Sequence, residues 1–389
     1  MVDTDCTPIS IFSSNSILGQ FGVGGPGAYV LAELRSTFGP CLALARGFAG
    51  PPPEGGGLKV IPSPPWRRAL NRTRLGRYFP ESQASSRREF DRKAAALIPP
   101  CRLAVVENST GLLTLRRARE SGARIALKFN NHPFGLMRKD VEEEIRRWGG
   151  PPFFIDDALQ EKTEAEAREA DVVFAMSRLV LDGLEEDGVP RPRLRLARYG
   201  VDIERFLPAL NPPSNFTVSF VGWLSLFKGF PYLVEGFREA AISGSTLLLH
   251  GGTGIAHYHQ LVDRLRGEAT VRVVHGPVED TYRASSVTVL PSVSDAFGNV
   301  VPESMACGVP VIVSDRCGAA ELVRDGVTGF VVPARDSGAI RDRLRQLHED
   351  PELRLRMGAE AREDILRRPW SLFREDIRSI LGDCLAGGE

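Results

Sequence analysis

From position 216 onward, short apolar runs alternate with stretches of helical periodicity. The runs read FTVSFVG, STLLLHG, VRVVHGP, VTVLPS, VPVIVSD and GFVVPA. The segments between such runs are 9–22 residues long, which suits helical crossovers between parallel strands. Runs of this kind suit strands that helices cover on both faces. The second half is therefore predicted to be a Rossmann-like α/β domain.

The first half shows the same alternation less clearly. Strands are predicted at residues 102–106, 124–129 and 171–175. A weaker candidate, SIFSSNSIL at residues 10–18, leads into a glycine-rich turn and a helix. The PPPEGGG and PSPP runs predict an irregular loop at residues 50–65. This half is also expected to be a Rossmann-like α/β domain.

The boundary between the halves is predicted from the Pro-rich segment LPALNPPS at residues 207–214, which has linker composition. We expect one domain at residues 1–208 and a second at 209–368. A final helix is expected within residues 369–389. At 389 residues the chain is long enough for two separate cores.

Composition excludes several classes of protein. The 49 basic and 49 acidic residues cancel, so no general attraction to nucleic acid is expected. The six cysteines lack CxxC spacing, which argues against zinc sites and disulfide frameworks and favours a reducing compartment. No secretory signal opens the chain, and no apolar run approaches the roughly 20 residues of a membrane span. We expect a cytoplasmic protein.

An Arg-rich segment at residues 66–93 interrupts the even charge distribution. The ordinary interpretation is a solvated helical face. The alternative is a surface for a phosphorylated acceptor or an anionic membrane, with peripheral membrane contact. The sequence leaves both open.

The glycine-rich turn contains a literal G-x-G-x-x-G at Gly22, Gly24 and Gly27. A dinucleotide site is one interpretation, but no strong strand precedes the motif. In addition, no acidic residue ends a second strand about twenty positions on to bind a ribose. The favoured interpretation is that the glycines let the backbone approach a ligand or form a tight turn.

The stretch SDAFGNVVPESMACGVPVIVSD sets Asp295 and Glu303 eight positions apart. We predict a short helix that Asn299 caps and Gly308 ends, before a buried strand. Its first amides would favour an anion, typically a phosphate. The two carboxylates suit vicinal hydroxyls of a sugar or ribose. An ordinary loop aspartate and first-turn glutamate remain the alternative.

Lys228, in VGWLSLFKGF, begins a predicted helix, where a cation opposes the helix dipole. We expect an anionic ligand at the carboxyl edge of the sheet to be its partner, and a solvated surface lysine is the alternative. His132, in KFNNHPF, follows a strand and either faces a cleft or is a satisfied core histidine. His257 and His259 do not share a helical face, so no metal pair is expected.

Taken together, VGWLSLFKG, the long stretch from SDAFGNVV to GFVV, ADVVFAMS and YGVDIERF resemble the retaining nucleotide-sugar glycosyltransferases of family 4, also called group 1. The resemblance covers roughly residues 170–333. It implies the GT-B fold, in which two Rossmann-like domains with parallel sheets face each other across a cleft. It also implies transfer of a hexose from a nucleotide-diphosphate sugar to an acceptor, with no metal or other cofactor.

The resemblance also implies roles for individual residues. Glu303 should bind the ribose, Asp295 the donor sugar, and Lys228 the diphosphate. His132 should lie near the transferred sugar or the acceptor, so Asp295, Lys228 and His132 are the catalytic candidates. The remaining donor-binding candidates are Ala296, Phe297, Gly298, Asn299, Gly24, Gly25, Gly222 and Trp223. The first domain should bind a glycan, lipid-linked sugar or small molecule, and the final helix should return to it.

Two departures from the family pattern stand out. Asp295 replaces a glutamate, and Trp223 replaces an arginine of the diphosphate clamp. Arg316 is a candidate replacement for that arginine. The departures leave room for a donor-binding but inactive subunit of a glycosyltransferase complex, and a GT-B nucleotide-sugar epimerase is a further alternative.

Overall fold

The structure is a computed structural model that describes residues 10–18, 24–48, 57–62, 80–149, 155–211, 213–251 and 270–387. The chain divides into two compact units. The first comprises Met1–Leu136, Phe153–Arg198 and Phe373–Glu389, and the second comprises Met137–Pro152 and Tyr199–Leu372. Among the described residues, no helix is long and apolar enough to cross a membrane.

The first unit contains a seven-stranded parallel sheet. Its strands are β1 (Ser10–Leu18), β2 (Cys41–Phe48), β3 (Leu58–Val60), β4 (Leu103–Glu107), β5 (Arg124–Phe129), β6 (Val172–Ala175) and β7 (Leu194–Leu196). They lie in the order β3-β2-β1-β4-β5-β6-β7. The order reverses between β1 and β4, so this is the point at which an α/β sheet favours ligand binding.

The second unit contains a six-stranded parallel sheet. Its strands are β8 (Thr217–Val221), β9 (Thr246–His250), β10 (Thr270–Val274), β11 (Val287–Leu290), β12 (Val311–Ser314) and β13 (Gly329–Val332). They lie in the order β10-β9-β8-β11-β12-β13. Every residue of β8, β11 and β12 is buried, as expected for central strands covered on both faces. All six apolar runs are confirmed as strands.

Helices connect the strands in both units. They are α1 (Gly24–Phe38), α2 (Pro80–Ala95), α3 (Leu112–Glu120), α4 (Phe134–Trp148), α5 (Asp157–Glu169), α6 (Arg178–Glu186), α7 (Phe230–Ala240), α8 (Val278–Arg283), α9 (Val300–Ala306), α10 (Ser337–Glu349), α11 (Pro351–Ile365) and α12 (Trp370–Ala386). Short 3₁₀ turns cover Arg191–Arg193 and Gly318–Leu322.

Residues 10–18, the weaker strand candidate of the sequence, form a nine-residue strand. β1 pairs with β2 on one side and β4 on the other, at the centre of the sheet. Among its serines, Ser14 donates a hydrogen bond to Glu107 within the buried layer, which satisfies that hydroxyl. The objection that no strand precedes the glycine-rich turn was therefore wrong.

The strands β2 and β3 of the first sheet were not predicted. β2 contains Arg46, whose guanidinium donates to the carbonyls of Ile61 and Pro62 and to the Ser86 side chain. A strand carrying a charge is hard to recognise when its partners lie far along the chain. β3 falls inside the loop predicted at residues 50–65, so that prediction was wrong for Leu58–Val60.

The unit boundary differs in position from the predicted linker. The second unit begins at Tyr199, and it also includes residues 137–152. Arg362 accounts for part of this difference, since its guanidinium donates to the carbonyls of Ile203 and Phe206 and holds that segment against the second unit. Residues 373–389 belong to the first unit.

The Arg-rich segment lies largely outside the described residues. Its described part belongs to α2, where Phe90 and Asp91 are buried while Arg88 and Arg92 are exposed. In this part of the segment, these arginines lie on a solvent-exposed helical face, as the ordinary interpretation predicted. The membrane alternative stays a prediction.

Candidate functional site

The second sheet places two loops side by side at its carboxyl edge. β8 and β11 are neighbours in the sheet, although β9 and β10 separate them in the chain. Hydroxyl groups of Ser219 and Thr288 lie 2.9 Å apart between these two strands. Residues 222–229 follow β8, and residues 291–299 follow β11. Because the strand order reverses here, this edge is the favoured ligand-binding position of the unit.

The two loops are fixed to each other by main-chain contacts. The carbonyl of Phe227 accepts hydrogen bonds from the amides of Val293 and Ser294, at 2.8 and 3.2 Å. Gly229 has φ +67°, and a Cβ there would lie 1.8 Å from the Pro291 carbonyl oxygen. Only glycine can adopt this positive φ and fit this close to Pro291 without distortion.

Lys228 and Asp295 form an ion pair across the two loops. The Lys228 ammonium contacts Oδ2 of Asp295, and the Ser292 hydroxyl donates to the same oxygen at 3.2 Å. Both charged side chains are only partly exposed. The sequence predicted an anionic ligand as the partner of Lys228, whereas in the structure a carboxylate of the chain itself takes that position.

The Phe-Gly pair shapes the loop after Asp295. Phe297 is 4% exposed and packs edge-to-face on Tyr199, with ring centroids 5.2 Å apart. Gly298 has φ +88°, and a Cβ there would lie 2.7 Å from Cys317 Sγ and 2.8 Å from Leu290 Cδ2. The Phe297 carbonyl accepts hydrogen bonds from Ala319 N at 2.6 Å and Cys317 Sγ at 2.9 Å, so both the ring and the main chain of Phe297 anchor the loop.

A neighbouring loop supports Asp295 from the other side. The Asp295 amide donates to the Arg316 carbonyl at 3.1 Å, and the Asp295 carbonyl accepts from Gly318 N at 2.9 Å. Arg316 is partly exposed and directly beside the candidate site. Its candidacy as the replacement for the missing arginine stays a prediction.

The predicted short helix is α9. Gly308 ends it with φ +71°, as predicted. Asn299 occupies the N-cap position, but its side chain makes no capping hydrogen bond, so the predicted cap was wrong. Ala296, Phe297, Gly298 and Asn299 form the loop that enters the helix.

Glu303 lies on α9 and is surrounded by groups that control its charge. The Tyr282 hydroxyl donates to Glu303 Oε2 at 2.7 Å. Burial raises the pKa of Glu303 to about 7, while the Tyr282 hydrogen bond and the positive charge of Arg205 act to lower it. Arg205 is itself held by Glu279, with a 2.8 Å bond.

Gly222 and Trp223 begin the loop after β8. Gly222 has φ +134°, and its amide donates to the His250 carbonyl at 2.9 Å. The Trp223 side chain is 56% exposed, unusually high for a tryptophan. The residue that replaces the family's arginine therefore presents an aromatic surface to solvent.

Three of the candidate site residues lie in the first unit. Gly24 and Gly25 open α1, which follows β1 at the reversal point of the first sheet. His132 lies in the loop between β5 and α4 and is 2% exposed. This burial agrees with the core interpretation of His132. Its predicted place beside the transferred sugar stays a prediction.

Sequence reasoning missed a buried polar cluster in the first unit. Lys128 Nζ lies 3.1 Å from Glu107 Oε1 and 2.5 Å from Asn130 Oδ1, and both charged side chains are buried. Lys128 sits within an otherwise apolar strand, RIALKF, which is the signal that singles it out. A charge inside a buried strand requires a buried partner.

No group of three or more His, Cys, Asp or Glu side chains within the described part of the chain is arranged to hold a metal ion. His257 and His259 lie outside that part.

Residues 203–364 match the family model for Glycosyl transferases group 1. Over this segment the chain is similar to the group 1 glycosyl transferases. The group 1 match contains Lys228, Asp295 and Glu303, together with Arg205 and Tyr282.

Curated proteins with sequences similar to this chain are also glycosyltransferases. A D-inositol 3-phosphate glycosyltransferase of Xylanimonas cellulosilytica is 30% identical over 234 residues, which cover 52% of this chain and 56% of the relative. The corresponding protein of Acidothermus cellulolyticus is 32% identical over 255 residues, 56% of each chain. The chain spans little more than half the length of these relatives.

Solved structures show the fold. Sucrose-phosphate synthase from Thermosynechococcus elongatus aligns with a TM-score of 0.72 at 20% identity, covering 97% of this chain and 99% of that one. HepE of Anabaena, solved with UDP-glucose, aligns with a TM-score of 0.68 at 16% identity, covering 96% and 99%. The predicted GT-B fold class, α/β with two parallel sheets, is confirmed.

Proposed function

We propose that this chain transfers a hexose from a nucleotide-diphosphate sugar to an acceptor, with retention of anomeric configuration and without a metal ion. The observation that carries the proposal is the placement of Lys228, Asp295 and Glu303 on two loops and a helix at one sheet edge of a group 1 domain. This edge combines a cation for a diphosphate with carboxylates for hydroxyl groups.

Each part of the donor has a partner in this proposal. Glu303 accepts hydrogen bonds from the ribose hydroxyls, because ionised carboxylates are strong acceptors. Asp295 and the main chain of Ala296, Phe297, Gly298 and Asn299 hold the hexose. Lys228 binds the diphosphate, whose higher negative charge competes with Asp295 for the ammonium group.

The reaction breaks the bond between the anomeric carbon and a diphosphate oxygen, and the electron pair remains on the departing diphosphate. Lys228 stabilises the charge that develops there. The acceptor hydroxyl forms the new bond on the same face, and its proton passes to the leaving phosphate. A covalent route through Asp295 is less favoured, because Lys228 and Ser292 already engage its carboxylate.

The first unit is proposed to bind the acceptor, with Gly24 and Gly25 approaching the donor phosphates and His132 serving the transferred sugar. The acceptor is a glycan, a lipid-linked sugar or a small molecule. D-inositol 3-phosphate belongs in the first acceptor panel, because two relatives carry that substrate in their names.

The test is a thermal-shift panel of nucleoside diphosphates and their sugars in EDTA, on the wild type and Glu303→Ala. UDP-glucose comes first because HepE was solved with it. A ligand present at a hundred times its Kd adds about 2.7 kcal/mol of stability. We expect one base to stabilise the wild type only, followed by release of the nucleoside diphosphate when an acceptor is added. Absence of any shift would overturn the proposal.

A donor-binding but inactive subunit is the second candidate, favoured by the exposed Trp223 and by the Asp295 partner of Lys228. It predicts donor binding without turnover across the acceptor panel. Trp223→Arg separates the two candidates, since restored turnover would identify the missing arginine as the cause of inactivity. Turnover by the wild type would exclude this candidate outright.

A further inference from the structure

The Glu303 carboxylate is held by a side chain that has no role in the donor contacts above. Tyr282 lies on α8, is fully buried, and donates its hydroxyl proton to Glu303 Oε2 at 2.7 Å. A fully buried side chain cannot touch a ligand, so any effect of Tyr282 on the donor must pass through Glu303.

The Tyr282 ring is itself fixed in place. It packs edge-to-face against Phe206, with ring centroids 6.0 Å apart. Arg362 donates to the Phe206 carbonyl at 2.7 Å and to the Ala306 carbonyl at 2.5 Å, which ties the Phe206 segment to the end of α9. The hydroxyl therefore reaches Glu303 from a rigid support on the same unit.

The charged groups around Glu303 have opposite effects on its pKa. Arg205 favours the ionised carboxylate, whereas Glu279 opposes it. Cys307 lies next to Glu303 and has Arg283 and Arg362 beside it. Burial raises the pKa of Cys307 to about 12 and that of Tyr282 well above its usual value, so both stay neutral and Tyr282 remains a donor at neutral pH.

We propose that Tyr282 is a positioning residue of the donor site, holding the Glu303 carboxylate ionised and in one orientation. Oε1 then faces the vicinal hydroxyls of the donor's ribose. This inference rests on the proposed donor role of Glu303. It deepens that role by assigning the group that keeps this partly exposed carboxylate able to accept two hydrogen bonds.

Removing the Tyr282 hydroxyl should change the titration of Glu303, which the loss of a purely structural contact would not do. The pKa of Glu303 is about 7, and the Tyr282 hydrogen bond lowers it. Removing the hydroxyl raises that pKa further, so less of the carboxylate is ionised at neutral pH. A shift of one pKa unit changes the ionised fraction about tenfold below the pKa and hardly at all well above it. The loss of affinity should therefore shrink as the pH rises.

The experiment compares Tyr282→Phe with Tyr232→Phe. Tyr232 is a matched control, since it is also fully buried in the second unit and donates to a carboxylate, Glu144 Oε2, at 2.8 Å. Calorimetry with UDP from pH 6 to 9 reports the Kd of each protein. Carbon-13 NMR of labelled glutamate carboxyls, assigned with Glu303→Gln, reports the Glu303 titration without ligand.

We expect Tyr282→Phe to weaken UDP binding about fivefold at pH 7 but less than threefold at pH 9, and to raise the Glu303 midpoint by about one unit. Tyr232→Phe should change neither. An unmoved midpoint, or an equal loss of affinity at every pH, overturns the inference. If UDP binds the wild type and Glu303→Gln alike, the donor role of Glu303 fails, even where the ligand-free midpoint still moves.

Site-specific 3-fluorotyrosine at position 282 keeps the test decisive if Tyr282→Phe does not fold. Fluorination makes the hydroxyl a stronger donor, so the Glu303 midpoint should fall instead of rise. A midpoint unchanged by fluorination would contradict the proposed contact.

Discussion

The ammonium group of Lys228 is paired with the Asp295 carboxylate, although 67 positions separate the two residues in the chain. Each group lies on a loop that leaves a central strand of the second sheet. The pair keeps the cation oriented at the carboxyl edge when no ligand is bound. Under the proposed function, a diphosphate entering this edge would meet a cation that is already in position, which would reduce the reorganisation required at the moment of reaction.

Lys228→Met should abolish most transfer while the protein remains folded. Loss of one electrostatic stabiliser of a departing charge lowers kcat by about 10²–10³-fold. Loss of a partly exposed ion pair costs only about 1 kcal/mol of stability. Nucleoside diphosphate release and thermal denaturation measure the two effects. Lys93→Met is the control, because Lys93 pairs with Glu89 on the surface of the first unit. Full activity in Lys228→Met would refute the role of this residue.

Gly298→Ala should destabilise the second unit more than Gly326→Ala. Both glycines have positive φ, +88° and +75°, so each alanine carries roughly 1–2 kcal/mol of backbone strain. Only at Gly298 does the new Cβ meet atoms, Cys317 Sγ at 2.7 Å and Leu290 Cδ2 at 2.8 Å, while nothing lies within 4 Å at Gly326. The clash adds about 1–3 kcal/mol. Equal melting temperatures for the two variants would contradict this account.

Glu303 should make stability depend on pH in the direction opposite to that of a salt-bridged carboxylate. Its folded pKa of about 7 lies above the ordinary 4.5, so the folded state binds more protons between these values. Its contribution to the free energy of unfolding therefore falls as the pH rises through this window, by up to about 3 kcal/mol.

Urea denaturation of the wild type and Glu303→Gln checks this prediction. The glutamine variant does not titrate, so it should gain stability relative to the wild type between pH 5 and pH 8. A constant difference across that range would show that the pKa of Glu303 is close to its ordinary value.

Lys128→Met should destabilise the first unit by roughly 3–5 kcal/mol, because it leaves the Glu107 carboxylate buried without its cation. The double variant Lys128→Met/Glu107→Gln should recover much of that loss, since it removes the isolated charge. Thermal denaturation of both variants measures the effect. A double variant no more stable than Lys128→Met would indicate that the remaining polar groups of the cluster, such as Asn130, carry the energy.

Local sequence predicted the second sheet well and the first less well. The runs from β8 to β13 are rich in apolar and β-branched residues, and the central strands β8, β11 and β12 are buried throughout, which leaves little room for any other pattern. β1 contains four serines, and β2 contains Arg46. Ser14 bonds to Glu107, and Arg46 bonds to Ile61 and Ser86; these partners lie far along the chain, so no local window predicts the strands.

The sequence by itself determined the fold class and which residues to examine, because strand periodicity, turn glycines and the motif around Asp295 and Glu303 are local properties. Only the tertiary structure decided which groups meet. It paired Lys228 with Asp295 and Glu303 with Tyr282, because strand order in a parallel sheet brings together loops that are distant in sequence. The charge state and the hydrogen bonds of these residues depend on the distances within each pair. The chemistry of the site is therefore set by the tertiary structure.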